Sequence, residues 1–225
     1  MQSKKVLVIG AHPDDEVLGC GGTILKHLNH GDMVSVLILG EGETSKEKNM
    51  IDIEGRKKAA QKAAQILGVS DLFLERLPDN QFDSLPLLKI VKKIESHLLK
   101  IKPEIVYTHF ANDLNIDHRT TFKAALTACR PQPCFFVKKI LSFEILSSTE
   151  WQAKNIGKMF RPTVYENITD FIAQKLKAMQ AHEGELKNYP HPRSLKGIEV
   201  QAQYRGIESG YKFAEAFQLI RDLHD

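Results

Sequence analysis

The sequence predicts one doubly wound α/β domain with a mostly parallel sheet, on three observations. Short continuous apolar runs recur along the chain, as expected of strands buried on both faces. Between them lie segments with apolar residues at helical spacing, so strand and helix alternate. Chemically capable polar residues collect directly after two of the runs, at residues 12–16 and 109–118. In open α/β sheets ligands bind beyond the carboxyl ends of the strands, which places both clusters on one edge.

In chain order, residues 6–9 form the first strand, broken by Gly10-Ala11. Residues 16–30 carry Val17, Leu18, Ile24, Leu25 and Leu28 at helical spacing and stop at Gly31-Asp32. Residues 33–39 are a second buried strand, and the polar stretch 40–50 is a loop on the edge that holds His12. A helix rich in Ala and Lys covers 53–67 and ends at Gly68; a short strand covers 72–74, and 78–86 is a loop. Residues 87–101 are amphipathic and end before Pro103. The strand 104–108 delivers the polar run 109–118, then 119–129 is helical and 140–145 strand-like. A helix at 170–183 and a proline-stiffened loop at 188–194 follow. No repeat, low-complexity tract or linker divides the chain, so residues 1–225 read as one domain. Its catalytic core is expected at about 5–145, with a pocket-closing segment at about 146–225.

Composition narrows the class. With 42% hydrophobic and 26% charged residues, the 225-residue chain has soluble proportions and enough length for a sizeable core. A net charge of +3 is too small to argue for nucleic acid. Cys20, Cys129 and Cys134 form no C-x-x-C pair and leave one over, which suits a reducing compartment. The first strand follows Met1 within a few residues, and no apolar run approaches the roughly 18 residues of a membrane helix. A cytoplasmic protein without a membrane span or nucleic-acid partner is expected.

The first cluster, Gly10-Ala-His-Pro-Asp-Asp-Glu16, sits where a dinucleotide fingerprint would begin, but His12 and Asp15 occupy the second and third glycine places. A carboxylate there repels phosphate. An imidazole and a carboxylate three residues apart suit a divalent metal instead, with Pro13 stiffening the turn. His118, at a helix start where Asp117 can cap or steer it, is the third ligand candidate. His12, Asp15 and His118 have the ligand types of a catalytic zinc site with one open position, and the same donors suit Fe2+. Asp14 is then spare. Zinc lowers the pKa of a bound water to around 7, and a neighbouring carboxylate can take its proton and return it to a leaving nitrogen.

The stretch Ala11-His-Pro-Asp-Asp-Glu16, with the following Gly19-Cys-Gly-Gly22 and the distant Asp117-His118, resembles the PIG-L/LmbE superfamily of zinc-dependent N-deacetylases. The resemblance is strongest from Lys5 to about His118. It implies a Rossmann-like fold, removal of acetyl or related acyl groups from amino sugars and their conjugates, and self-association into trimers or hexamers. It also implies that His12, Asp15 and His118 bind zinc, that Asp14 is the base, and that Arg56 contacts a substrate hydroxyl or carboxylate. One departure stands out. Many members read His-Pro-Asp-His at the second cluster, the first His stabilising the oxyanion or acting as acid, whereas this chain reads Asn115-Ile-Asp-His118. An amide can donate to an oxyanion but cannot deliver a proton, leaving both transfers to Asp14 or to another histidine. The Asp113-Leu-Asn-Ile-Asp-His118 version resembles a sugar-nucleotide or polysaccharide-biosynthesis subgroup.

Among the remaining residues, His109 lines the site or packs beneath it, and His191 and Arg193 are expected on the rim, against a sugar or its phosphate. Tyr204-Arg-Gly206 and residues 210–217 are expected to close the pocket. His182 belongs behind the site or on the surface; His27, His30, His97 and His224 read as exposed, and Lys89, Lys92 and Lys93 as a solvated helix face. Cys20 reads as packing. The expected function is hydrolytic release of an N-acetyl group from an amino sugar or glycoconjugate. The alternatives are an amidase acting on a sugar-linked thiol or other N-acyl small molecule, and a sugar-binding module without turnover. The spare Asp14 argues against the last, and Asn115 argues mildly for it.

Overall fold

Val6, Leu7, Val8 and Ile9 are all fully buried, so the first strand is covered on both faces, which is why it reads as an unbroken apolar run. The computed structural model describes residues 3–42, 52–132 and 136–224. Strands β1 (Lys5–Gly10), β2 (Met33–Gly40), β3 (Asp71–Leu77), β4 (Ile105–His109), β5 (Lys139–Phe143), β6 (Val164–Asn167) and β7 (Ala214–Asp222) form one sheet in the order β3-β2-β1-β4-β5-β7-β6. The first five are parallel; β7 runs antiparallel to β5 and to β6. Helices α1 (Asp15–Asn29), α2 (Asp52–Leu67), α5 (Ile172–Gln180) and α6 (Leu195–Ser209) cover one face. Helices α3 (Leu87–Ile101) and α4 (Ile116–Ala128) cover the other. Because β2 and β4 flank β1 on opposite sides, the crevice of the doubly wound sheet opens at the ends of β1 and β4. Both polar clusters emerge there.

Two glycines set how closely elements approach that crevice. The Gly40 amide donates to the Ala11 carbonyl at 2.7 Å, and a Cβ on Gly40 would lie 2.8 Å from that oxygen. A Cβ on Gly19 would lie 2.5 Å from the Phe143 ring, so α1 can rest on β5 only without a side chain there.

Helix α1 is kinked at Cys20 (φ −152°, ψ 25°), and the ends exposed by the kink are satisfied from the C-terminal part of the chain. The Glu215 carboxylate accepts the amides of Gly22 (2.9 Å) and Thr23 (2.7 Å), acting as an N-cap for the second half. Lys175 donates to the Leu18 carbonyl (2.9 Å) and to Glu215 (2.6 Å). Both side chains are buried. Replacing Glu215 by Gln strands the Lys175 charge and weakens the cap; a loss of about 3–5 kcal/mol is expected in urea unfolding. A loss below about 1 kcal/mol would show that the kink is held by packing alone.

Several expectations need correction. Residues 214–217 are not a cover over the pocket: they enter the sheet as β7, with Ala214, Glu215, Ala216 and Phe217 all buried. Arg205 lies on α6 and pairs through two nitrogens with Glu144, at 2.7 Å each. Within 146–225, two stretches reach the crevice: one carries Ser148 and Thr149, which bond Asp113, and the other carries His182, Glu185, His191 and Arg193. His97 is buried and meets Glu75 at 3.0 Å, and Lys93 bonds the same carboxylate, so that helix face is not wholly solvated. His27 is half-buried between Asp32 (2.7 Å) and the Tyr107 hydroxyl (3.0 Å). His30 and His224 are exposed, and Cys20 packs in the core. The loop at 40–50 lies beyond Gly42 outside the described residues, as does Cys134. Among the described residues no helix is long and apolar enough to cross a membrane.

Candidate metal centre

From Gly10 the chain turns through Ala11-His-Pro-Asp into α1, and the turn closes on its own carboxylate: Asp15 Oδ2 accepts the His12 amide at 2.7 Å. That bond leaves Oδ1 over. Asp15 Oδ1 and His118 Nε2 are both buried, neither has a hydrogen-bond partner among the described residues, and they lie 3.5 Å apart. Ligand atoms of His12, Asp15 and His118 all fall within 4.8 Å of one another. Orphaned buried acceptors are costly, and two that converge beside a third ligand are what a cation site looks like before the cation is counted.

Carboxylates orient both histidines. His118 Nδ1 faces Asp113 Oδ1 at 3.0 Å, which puts the proton on Nδ1 and the lone pair on Nε2. Asp113 is itself held by the hydroxyls of Ser148 and Thr149. Burial opposes its charge, but His118 and these hydroxyls outweigh burial and bring its pKa down to about 2. His12 Nε2 lies 3.0 Å from both Asp79 Oδ1 and Asp117 Oδ2, leaving Nδ1 on the side of Asp15, 3.7 Å from Oδ2. Burial works against a charged imidazole at His12, yet hydrogen bonds to Asp117 and Asp79 and the Asp15 charge push its pKa up to about 10. Asp117 also accepts the amides of Asn80 (2.6 Å) and Phe82 (2.9 Å), so it belongs to the layer holding His12.

Asp14 is the unusual residue of the turn. It stands at φ 119°, ψ −23°, where side-chain-bearing residues rarely sit, at a cost of about 1–3 kcal/mol. Its amide donates to Glu16 Oε2 (3.1 Å), and its carbonyl accepts the amides of Val17 (3.1 Å) and Leu18 (2.9 Å). The carboxylate makes no capping bond to α1; its Oδ2 accepts Arg193 Nη1 at 3.0 Å. Burial raises the Asp14 pKa above the ordinary carboxylate range, although Arg193 and Arg56 pull it down.

The structure redistributes the other expected roles. Asn115 Oδ1 caps α4 by accepting the amides of Asp117 (2.8 Å) and His118 (3.4 Å), and its Nδ2 donates one hydrogen to Asn80 Oδ1 (3.0 Å). This cap also starts α4 at Ile116, ahead of the expected 119. Asp117 steers His12, not His118. His109 is fully buried, stacked on His118 at 4.0 Å, with Nε2 between the Ala11 amide (2.9 Å) and Asp15 Oδ2 (3.1 Å). Burial and the neighbouring His118 lower its pKa to about 4, so it is a neutral support beneath the ligands. Arg56 is buried, its Nη1 2.8 Å from Glu185 Oε1. His191 accepts the Arg193 amide (3.0 Å) and meets Trp151 edge-on at 5.5 Å. His182 is buried behind the turn, Nε2 3.6 Å from Glu16 Oε1, and Glu16 raises its pKa against the effect of burial. Asp79, Asp113 and Glu185 were not among the expected site residues.

A family model for PIG-L, described as GlcNAc-PI de-N-acetylase, matches residues 7–129. Diacetylchitobiose deacetylase of Thermococcus kodakarensis is 28% identical, over 96% of this chain and 83% of its own length. A probable N-acetyl-alpha-D-glucosaminyl L-malate deacetylase 2 of Bacillus cereus is 25% identical, over 81% and 84%. Among solved structures, N,N'-diacetylchitobiose deacetylase from Pyrococcus horikoshii superposes with a TM-score of 0.79 at 22% identity, covering 98% of this chain and 85% of that one. At that identity the likeness is one of fold.

Proposed function

The chain belongs to the PIG-L family, and from that premise we propose that it is a metal-dependent hydrolase releasing an N-acetyl group from an amino sugar or amino-sugar conjugate. The observation that carries this reading is the pair of orphaned ligand atoms, Asp15 Oδ1 and His118 Nε2, with a strained, buried carboxylate beside them in Asp14. His12, Asp15 and His118 would hold the metal, zinc by donor type and ferrous iron as the substitute. When bound, such a metal polarises an acyl carbonyl and makes water acidic enough to attack near neutral pH.

Asp14 takes a proton from the attacking water and passes it to the departing nitrogen, so amide and water become acetate and free amine. Burial raises the pKa of the Asp14 carboxyl group, which favours its holding the proton between the two transfers. Arg193 fixes one oxygen of that carboxylate. Because Asp14 takes and returns the same proton, the count closes without a second acid. Arg56 and Arg193 stand where they can orient hydroxyls of the sugar.

Acetate release from free and conjugated N-acetylhexosamines, measured with metal content on the same preparation, tests the reading. Turnover should vanish on chelation and return with zinc. Stoichiometric metal without acetate from any member would overturn the N-acetyl assignment, leaving another N-acyl group or a binding role.

A further inference from the structure

Two guanidiniums beside a base would ordinarily mark a site for an anionic substrate, but this chain supplies the anions itself. Glu185, in a 3₁₀ turn at Glu183–Glu185, spans both cations: Oε1 lies 2.8 Å from Arg56 Nη1 and Oε2 lies 3.4 Å from Arg193 Nη1. Its side chain is only 13% exposed. Arg193 Nη1 also meets Asp14, and the part-buried Glu150, held by the amides of Ser147 (2.6 Å) and Ser148 (3.3 Å), acts on the same guanidinium. Glu185 thus bridges the two arginines, Asp14 takes the second, and Asp15 and Glu150 add their charge to the field at Arg193. A substrate carboxylate or phosphate brought to Arg56 and Arg193 must either displace Glu185 or lie against it, and like charges in such contact are strongly unfavourable. Sugar hydroxyls face no such conflict, since they donate to carboxylates and accept from guanidiniums at once.

The neighbouring surface suits a neutral sugar as well. Trp151, 52% exposed, stands against His191, and Tyr189, 68% exposed, lies two residues before His191. Such aromatic faces can cover the apolar face of a pyranose. We propose that Glu185 is a specificity determinant that makes the site select N-acetyl amino sugars joined to an uncharged partner, such as a second sugar, over those joined to a carboxylate- or phosphate-bearing group. This rests on the deacetylase reading and separates the two substrate chemistries named in its relatives, diacetylchitobiose and an L-malate glycoside.

The test compares kcat/KM on N,N'-diacetylchitobiose and on N-acetylglucosamine 1-phosphate, for the metal-loaded wild type and for Glu185→Gln and Glu185→Ala. The wild type should prefer the neutral substrate, and either variant should shift the ratio toward the anionic one by about tenfold or more. A global loss of packing would lower both rates and leave the ratio alone. A wild type that prefers the phosphate overturns the proposal without any variant, and an unchanged ratio in a folded variant does so too. If neither compound releases acetate, the deacetylase reading is what has failed. Calorimetric titration of inorganic phosphate into wild type and variants then still decides the charge question: binding at least about tenfold tighter without Glu185 supports it, and equal affinity overturns it.

Discussion

Replacing Asp14 by Asn should lower kcat by about 10²–10⁴-fold while metal content stays at the wild-type level, because the amide keeps the shape of the carboxylate and loses its ability to carry a proton. Asp14 is well suited to this test. Its side chain makes no capping bond to α1, and its backbone carbonyl, which accepts the first helical amides, is left in place by a substitution. Asn tolerates left-handed backbone conformations better than most residues, so φ 119° remains accessible and the fold should persist. The Arg193 contact can be kept through the amide oxygen, although without its charge. Loss of rate with retained metal therefore isolates the proton transfer from both folding and metal binding. The measurements are kcat on the best substrate of the acetate panel and metal analysis of the purified variant. Turnover within about tenfold of wild type would remove Asp14 as the base even if the reaction is the one proposed.

How much of this site could be read from the sequence follows from how local each piece is. His12, Asp14 and Asp15 sit in one turn after a strand buried on both faces, and such a strand announces itself as an apolar run. His118 was within reach because it follows the next strand of the same edge. Asp79 was not: it comes from a loop after β3, and only the folded sheet brings it to His12. Asp113 belongs to the same polar run as His118, but its spacing alone does not say that it turns back onto Nδ1. Glu185 is the same case as Asp79, its role existing only where α2 and the C-terminal turns meet. Asn115 is different. Its position just before a helix is an N-cap signature visible in the sequence, and the cap fixes its Oδ1 on the amides of Asp117 and His118. Residues 210–217 read as a pocket cover because a Glu among apolar residues does not announce a buried strand, yet Ala214–Phe217 enter the sheet in β7. Glu215 is tolerated there because the kink in α1 gives its carboxylate two amides and Lys175.

A graded response to loss of ligand and of ligand support is the second large effect expected. His118→Ala removes one of three metal donors and should yield protein that neither retains zinc through a chelator wash nor turns over, with added zinc restoring little. Asp113→Asn leaves all three donors in place and removes only the anion behind His118, so metal affinity should fall by about 10–100-fold and activity should return when zinc is supplied in excess. The distinction follows from the geometry. His118 presents Nε2 inward because Nδ1 faces Asp113, and Asp113 is itself fixed by Ser148 and Thr149, so an amide at that position keeps the shape but lowers the basicity of the imidazole. Zinc competition against a chromophoric chelator, run on wild type and both variants at one pH, reads the two affinities directly. Equal affinity in Asp113→Asn and wild type would mean that Asp113 serves the loop after β5 and not the metal. Full zinc binding by His118→Ala would transfer the site to another donor set, which among the described residues is His12 with Asp79 and Asp117.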